Sequence, residues 1–225
     1  MKNLSNVDIH EFLSRCKLER VEGRKIDHEG KEYAMPYSTV KIQETLLGGL
    51  RENEKRIDLF EKIIEENSKS RESYLDIGSN LGVFVRSFDH IFEKVSGIDA
   101  DRYYIDMCEF LYEEGDCDFI LADLNIKRIT DFFDSPHDVI TALSMIEYIN
   151  DKEKFVQDLY DLTNELCIVE GHSEDIIKGY DIKYEELLNS QDWKVERHAR
   201  TTDAGINAPG NTWETGRPLW VCTKL

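Results

Sequence analysis

The 225-residue chain carries 46 acidic against 28 basic residues, a formal charge of −18. Its length fits one domain with a full core. Its acidity argues against gripping nucleic acid by the phosphate backbone, leaves small neutral or cationic molecules open as partners, and is equally accounted for by solubility alone.

The cysteines, Cys16, Cys108, Cys117, Cys167 and Cys222, are odd in number, scattered and free of any Cys-x-x-Cys pair. That usage predicts reduced thiols in a cytoplasmic protein, with Cys108 and Cys167 in the core. The histidines show no ligand spacing, so no metal is expected. The first residues lack an apolar signal core and no apolar run has bilayer length, so no membrane association is expected.

In chain order, Val7, Phe12, Leu13 and Leu18 among charges predict an amphipathic helix over 7–20. A polar stretch over 22–34 leads into Met35-Pro36-Tyr37. Ile57, Phe60, Ile63 and Ile64 recur at helical spacing and predict a helix over 52–67 with one apolar face. Residues 1–70 read as an N-terminal helical cap or lid packed on a core formed by 71–225. From residue 73 the pattern alternates. Strands are predicted at 73–77, 94–98, 118–121, 138–143 and 166–170, and helices near 80–91, 101–113 and 151–164. Such alternation builds βαβ units and a mostly parallel sheet. A helix at 183–189, a strand at 192–199, a polar loop over 201–216 and a strand at 218–223 follow. The last two strands imply an antiparallel hairpin, and their long loop reads as functional.

The stretch 74–82, Tyr-Leu-Asp-Ile-Gly-Ser-Asn-Leu-Gly, carries the most information. A strand reaches Asp76, turns through Gly78, and a helix opens near Asn80, the pattern of a nucleotide-cofactor loop. A dinucleotide fingerprint needs a bare second glycine against the pyrophosphate. Here Asn80 stands in that place, Gly82 follows two residues later, and Asp76 would repel a phosphate. Asp76 instead suits a positively charged ligand. S-adenosylmethionine (SAM) has a sulfonium and an amino group and no phosphate.

The segment YLDIGSNLGVF resembles the first motif of the class I SAM-dependent methyltransferases, with Asn80 where many members have Gly. VSGIDADRYYIDMC resembles their second motif, FILADL the third and DVITALSMIEYI the fourth, so the resemblance covers residues 70–170 in order. It implies an α/β fold: a Rossmann-like seven-stranded, mostly parallel sheet flanked by helices, with one antiparallel strand near its edge and the N-terminal lid outside it. The implied cofactor is SAM.

Ligands of such sheets lie beyond the carboxyl ends of the strands. Asp99 ends the second strand, where a carboxylate can accept hydrogen bonds from both ribose hydroxyls; capping the next helix is its alternative role. Ala100 would pack on the adenine. Asp123 resembles the family's acceptor for the adenine amino group, with Leu124 offering a backbone N–H and a turn-forming Asp as the alternative. Arg51 suits the methionine carboxylate of SAM, or is a surface arginine. Leu143 and Ser144 end the fourth strand, at the cofactor and the acceptor respectively. Glu147-Tyr148 stands where many relatives have Glu-His. Tyr148 is expected to orient the acceptor or contact the methyl group, against a structural tyrosine. His172 is the first candidate general base, against an incidental loop histidine. Tyr37, Trp213 and Arg217 are expected at the acceptor. Arg217 offers a planar fork to a phosphate or carboxylate, or pairs with a neighbouring carboxylate.

The function implied is methyl transfer to a nitrogen or oxygen of a small molecule, including phosphate- or nucleotide-linked ones. Two alternatives stand beside it. The segment MPYSTVKI…GGLRENEKR loosely resembles tRNA wobble-uridine-modifying enzymes of the same superfamily. A non-catalytic SAM-binding protein is the other, motivated by Asn80 and Tyr148.

Overall fold

The computed structural model describes residues 8–15, 25–28, 31–34, 40–42, 45–47, 53–112, 117–201 and 216–225. The N-terminal part contributes helix α1 (Ile9–Arg15), strands β1 (Lys25–His28) and β2 (Lys31–Ala34), strands β3 (Val40–Ile42) and β4 (Thr45–Leu47), and helix α2 (Glu54–Asn67). The alternating segment begins with β5 (Ser73–Ile77), α3 (Val83–Ser87), β6 (Lys94–Asp99), α4 (Arg102–Leu111) and β7 (Asp118–Leu121). It continues through β8 (His137–Leu143), α5 (Lys152–Leu162) and β9 (Thr163–Glu170). Helices α6 (Ser173–Lys178) and α7 (Tyr180–Leu188) and strands β10 (Trp193–Thr201) and β11 (Arg217–Lys224) follow.

Seven strands form one sheet in the order β10-β11-β9-β8-β5-β6-β7. β5 runs parallel to β6 on one side and β8 on the other. The β6–β7 and β8–β9 pairs are also parallel. β11 is the reversed strand, antiparallel to both β9 and β10. The chain leaves β5 towards β6 and β7, then crosses back to β8. The crevice between the carboxyl ends of β5 and β8 is therefore the switch point where ligands of open α/β sheets bind.

Alternate strand residues feed two cores. Tyr74, Val139, Leu166, Ile168, Leu219 and Val221 join one with the apolar face of α2. Leu75, Ile140, Cys167, Val169, Trp220 and Cys222 join the other with α5 and α7. Burial on both faces is why these strands read as near-continuous apolar runs. Cys108, Cys167 and Cys222 are buried free thiols.

Three predicted elements differ. The helix expected near 80–91 is only α3, because Asn80 and Gly82 hold φ of 50° and 65° and helical geometry begins after them. The helix expected at 183–189 is a pair, α6 and α7, broken at Gly179 with φ 68°. Ile177 and Ile182 are 86% and 59% exposed, so no apolar periodicity marks this pair. The N-terminal part is mixed rather than wholly helical, with β1–β2 and β3–β4 each forming an antiparallel ladder. Runs of three or four residues in polar sequence carry too little alternation to stand out from loop. Among the described residues no helix is long and apolar enough to cross a membrane, and no cluster of His, Cys, Asp or Glu forms a metal site.

Candidate active site

The loop after β5 is tied to the next strand. Gly78 N–H and Ser79 N–H both donate to Ile98 O, at 2.8 and 2.9 Å. Gly78 holds φ 77°, and a Cβ there would come within 2.4 Å of the Met145 side chain. Only glycine fits that turn. Asn80 tolerates its left-handed backbone through a local bond in which its Oδ1 accepts from Leu81 N–H at 2.8 Å. Such self-bonding is why Asn visits this region more readily than other side chains.

Two carboxylates flank the loop. Asp76 is buried, and its Oδ1 accepts from Thr141 Oγ1 at 2.7 Å. Thr141 Oγ1 in turn lies 2.6 Å from Tyr74 Oη. Burial pushes the Asp76 carboxyl up to about 7, against the Thr141 bond and the Arg56 charge, with Asp99 adding to the rise. Asp99 ends β6 and accepts from Asn80 N–H at 2.8 Å and Asp101 N–H at 2.9 Å. Burial raises its pKa as well, opposed by those backbone donors. The cap of α4 is Asp101, whose side chain accepts from Tyr103 N–H. The helix-cap role is thus filled by Asp101 and leaves Asp99 facing the crevice.

A cavity of about 300 Å³ occupies the crevice, walled by Arg56, Asp76, Gly78, Asn80, Asp99 and Leu143 among others. A second, of about 170 Å³, continues past Asp99 and Ala100 to Asp123 and Leu124. Asp123 also makes the turn weighed for it, its Oδ1 accepting from Asn125 N–H at 2.9 Å. Both roles are compatible, since the residue borders the smaller cavity. Tyr37, Arg51 and Trp213 lie outside the described residues.

Beneath the crevice runs a buried ionic network that sequence reading missed. Arg56 donates to Glu170 Oε1 at 2.7 Å and to Asn53 Oδ1 at 3.0 Å. Ser144 Oγ donates to Glu170 Oε1 at 3.0 Å, and its N–H donates to Glu170 O at 2.7 Å. Arg217 donates to Ser144 Oγ and stands 3.8 Å from Glu170. Arg217, expected as an open contact for the acceptor, is instead buried at the start of β11 and borders none of these cavities. A guanidinium removed from water requires a carboxylate, and Glu170 is there. Ser144 does border the larger cavity, with φ 60°. Arg56 left one trace in the sequence: it lies on the apolar stripe of α2, one turn before Phe60 and two before Ile63.

On the far side of β8, a third and larger cleft of about 730 Å³ opens. Tyr148 and His172 border both it and the 300 Å³ cavity. Tyr148 is 64% exposed, so it is no buried structural tyrosine. His172 caps α6: its Nδ1 accepts from Glu174 N–H at 3.3 Å, and its N–H donates to Asp175 Oδ2 at 2.6 Å. With Nδ1 used as an acceptor, the neutral ring carries its proton on Nε2, and Nε2 is a donor. Glu147, one residue from Tyr148, has a buried Oε1 with no hydrogen-bond partner among the described residues. Burial raises its carboxyl above the ordinary range, against the opposing pull of His172.

Comparison with known proteins agrees with this geometry. Residues 75–165 match the family model described as a methyltransferase domain. A SAM-dependent methyltransferase from Clostridium acetobutylicum ATCC 824 shares the fold at 11% identity and TM-score 0.62, over 77% of this chain and 92% of that one. SAM-bound CalS10, an amino pentose methyltransferase from Micromonospora echinaspora, does so at 12% identity and TM-score 0.57, over 77% and 91%. The N-methyltransferase NodS from Bradyrhizobium japonicum WM9, in complex with S-adenosyl-L-homocysteine (SAH), gives 10% and 0.57, over 76% and 86%. No curated protein matches the chain. Residues 75–165 thus match a methyltransferase domain, and the sheet topology is the fold shared with these SAM-dependent methyltransferases.

Proposed function

We propose that the protein transfers the methyl group of SAM to a nitrogen or oxygen of a small molecule, in the cytoplasm. The observation that carries this reading is the shared border of Tyr148 and His172, which joins the acid-flanked cavity at the switch point to a separate cleft. The residues fit the cofactor. Gly78 borders both crevice cavities with no side chain to narrow them, and the buried Asp76 carboxyl suits an ammonium group.

In this reading Asp99 accepts from both ribose hydroxyls, and Ala100 and Leu124 flank the adenine beside Asp123. Asp76 meets the amino group, and Arg56, bordering the cavity where Arg51 was expected to reach, meets the methionine carboxylate. Residues 1–70 contribute Asn53 and Arg56 to the wall, which supports their reading as a cap on a core of 71–225. Bound there, SAM would supply an activated methyl carbon on a sulfonium, with a neutral thioether as the leaving group. The chain's own work is orientation, exclusion of water and removal of one proton. Glu147 takes that proton from the acceptor on its Oε1, which has no partner among the described residues, whereas the capping bond makes His172 a donor. His172 and Tyr148 then orient the acceptor by donating hydrogen bonds.

Glu147→Gln should lower kcat by about tenfold to hundredfold, at the small end of general-base effects because the methyl group is already activated. SAH affinity should be unchanged. Steady-state kinetics with the acceptor checks this, and an unaltered kcat would remove Glu147 as the base.

Calorimetric titration with SAM and SAH tests the cofactor assignments, and binding weaker than millimolar would overturn them. The pH dependence is diagnostic. Asp76 sits near 7 in the folded chain against an ordinary value of 3.8, so the empty protein holds a proton that the unfolded chain has lost. Stability of the empty protein from this group therefore falls as pH rises from about 4 to about 7. An ammonium partner needs the ionised form, so SAH affinity should rise with pH up to about 7, by at most about tenfold per unit. It should fall again above about 8, where an α-amino group loses its own proton. A flat profile below pH 7 would separate Asp76 from the ammonium.

A further inference from the structure

We propose that the 730 Å³ cleft is the acceptor site and that it selects a ring-bearing acceptor with an anionic group, a specificity that rests on the methyl-transfer reading above. The volume falls within the range of small-molecule sites. Its lining combines three kinds of chemistry. Tyr148 and His172 form the end shared with the cofactor cavity, with Glu147 beside them. Lys152 at the start of α5 and Lys183 on α7 border the cleft but not that cavity.

These two lysines stand out in a chain with 46 acidic and 28 basic residues, where a carboxylate neighbour is the ordinary state of a cation. Among the described residues neither is paired with one. Lys152 Nζ donates to Ile149 O at 2.5 Å, and Lys183 Nζ lies 5.5 Å from the Tyr180 ring centroid. The acidic side chains around the cleft are committed elsewhere. Glu174 holds Lys178 at 2.8 Å, and Asp175 accepts from His172 N–H and bonds Tyr184. That leaves Glu147 beside the cofactor cavity and, on the cleft wall, two lysines with no carboxylate partner among the described residues. Tyr180 and Tyr184, with ring centroids 6.4 Å apart, supply aromatic faces to the same cleft. An acceptor that satisfies all three features presents its N–H or O–H to Glu147, lays a ring against the tyrosines and turns a phosphate or carboxylate to the lysines.

The test uses the full chain, with and without saturating SAH, titrated with phenyl phosphate, benzoate and benzylamine. The anions should bind at least tenfold more tightly than benzylamine, and their affinity should weaken as salt rises. Whichever anion binds more tightly identifies the group. Lys152→Gln combined with Lys183→Gln should weaken anion binding at least tenfold, with SAH affinity as the control for an intact fold. Equal or tighter binding of benzylamine, or anion binding indifferent to both substitutions, overturns the proposal. Failure of SAH itself to bind would count against the cofactor reading instead, since the probes are also measured without it.

Discussion

Asp99→Ala should weaken SAH binding by about 10²–10⁴-fold while leaving the urea midpoint close to that of the parent protein. A hydrogen bond to a charged acceptor contributes about 1.5–3 kcal/mol, and the carboxylate is assigned two of them, one from each ribose hydroxyl. Their sum of about 3–6 kcal/mol corresponds to that range, at about 1.4 kcal/mol per decade. The fold has little at stake. Asp99 accepts from Asn80 N–H and Asp101 N–H, but Asp101 caps α4 with its own side chain. Both orphaned amides lie at a crevice open to water. Asp99→Asn keeps the shape, loses the charge and should fall between the two. Calorimetry at one pH and salt concentration checks the series. An Asp99→Ala protein binding SAH within threefold of the parent would mean the ribose lies elsewhere.

The sheet was legible because its physics is local. Strands buried on both faces must be apolar along their whole length, and a parallel arrangement places helices between most of them. The acidic residues at strand ends were legible for the same reason: Asp76 and Asp99 interrupt apolar runs where a strand stops. Arg56 illustrates the opposite case. Its partner Glu170 is 114 positions away, and a pairing across such a distance leaves no pattern in either segment. The same holds for Arg217, whose neighbours Ser144 and Glu170 come from two other strands. A free-standing arginine in an acidic chain invites assignment to a ligand, whereas burial turns it into a structural counter-ion. His172 carries a signal at shorter range. Its spacing to Asp175 is that of a reciprocal cap, a signal that was available and that fixes which ring nitrogen carries the proton.

Glu170→Gln should destabilise the protein by about 3–5 kcal/mol, the cost typical of removing one partner from a buried ion pair. Glu170 is fully buried, with Arg56 at 2.7 Å, Ser144 Oγ at 3.0 Å and Arg217 at 3.8 Å. The amide keeps the volume but removes the anion that Arg56 binds and Arg217 approaches. Arg56→Met or Arg217→Met should each cost less, because Glu170 then keeps one cation and the lost charge is itself no longer buried. The order matters more than any single value: a carboxylate shared by two arginines makes the acid the costliest of the three to lose. Urea denaturation of the three variants tests it, and a Glu170→Gln penalty below that of either arginine variant would refute the shared-anion arrangement. The crevice should respond too. Glu170 positions Ser144 and Arg56, both on the cavity wall, so Glu170→Gln should weaken SAH binding even where the protein remains folded. A stability loss with undiminished SAH affinity would show that the network supports the sheet alone and that the methionine carboxylate does not depend on Arg56.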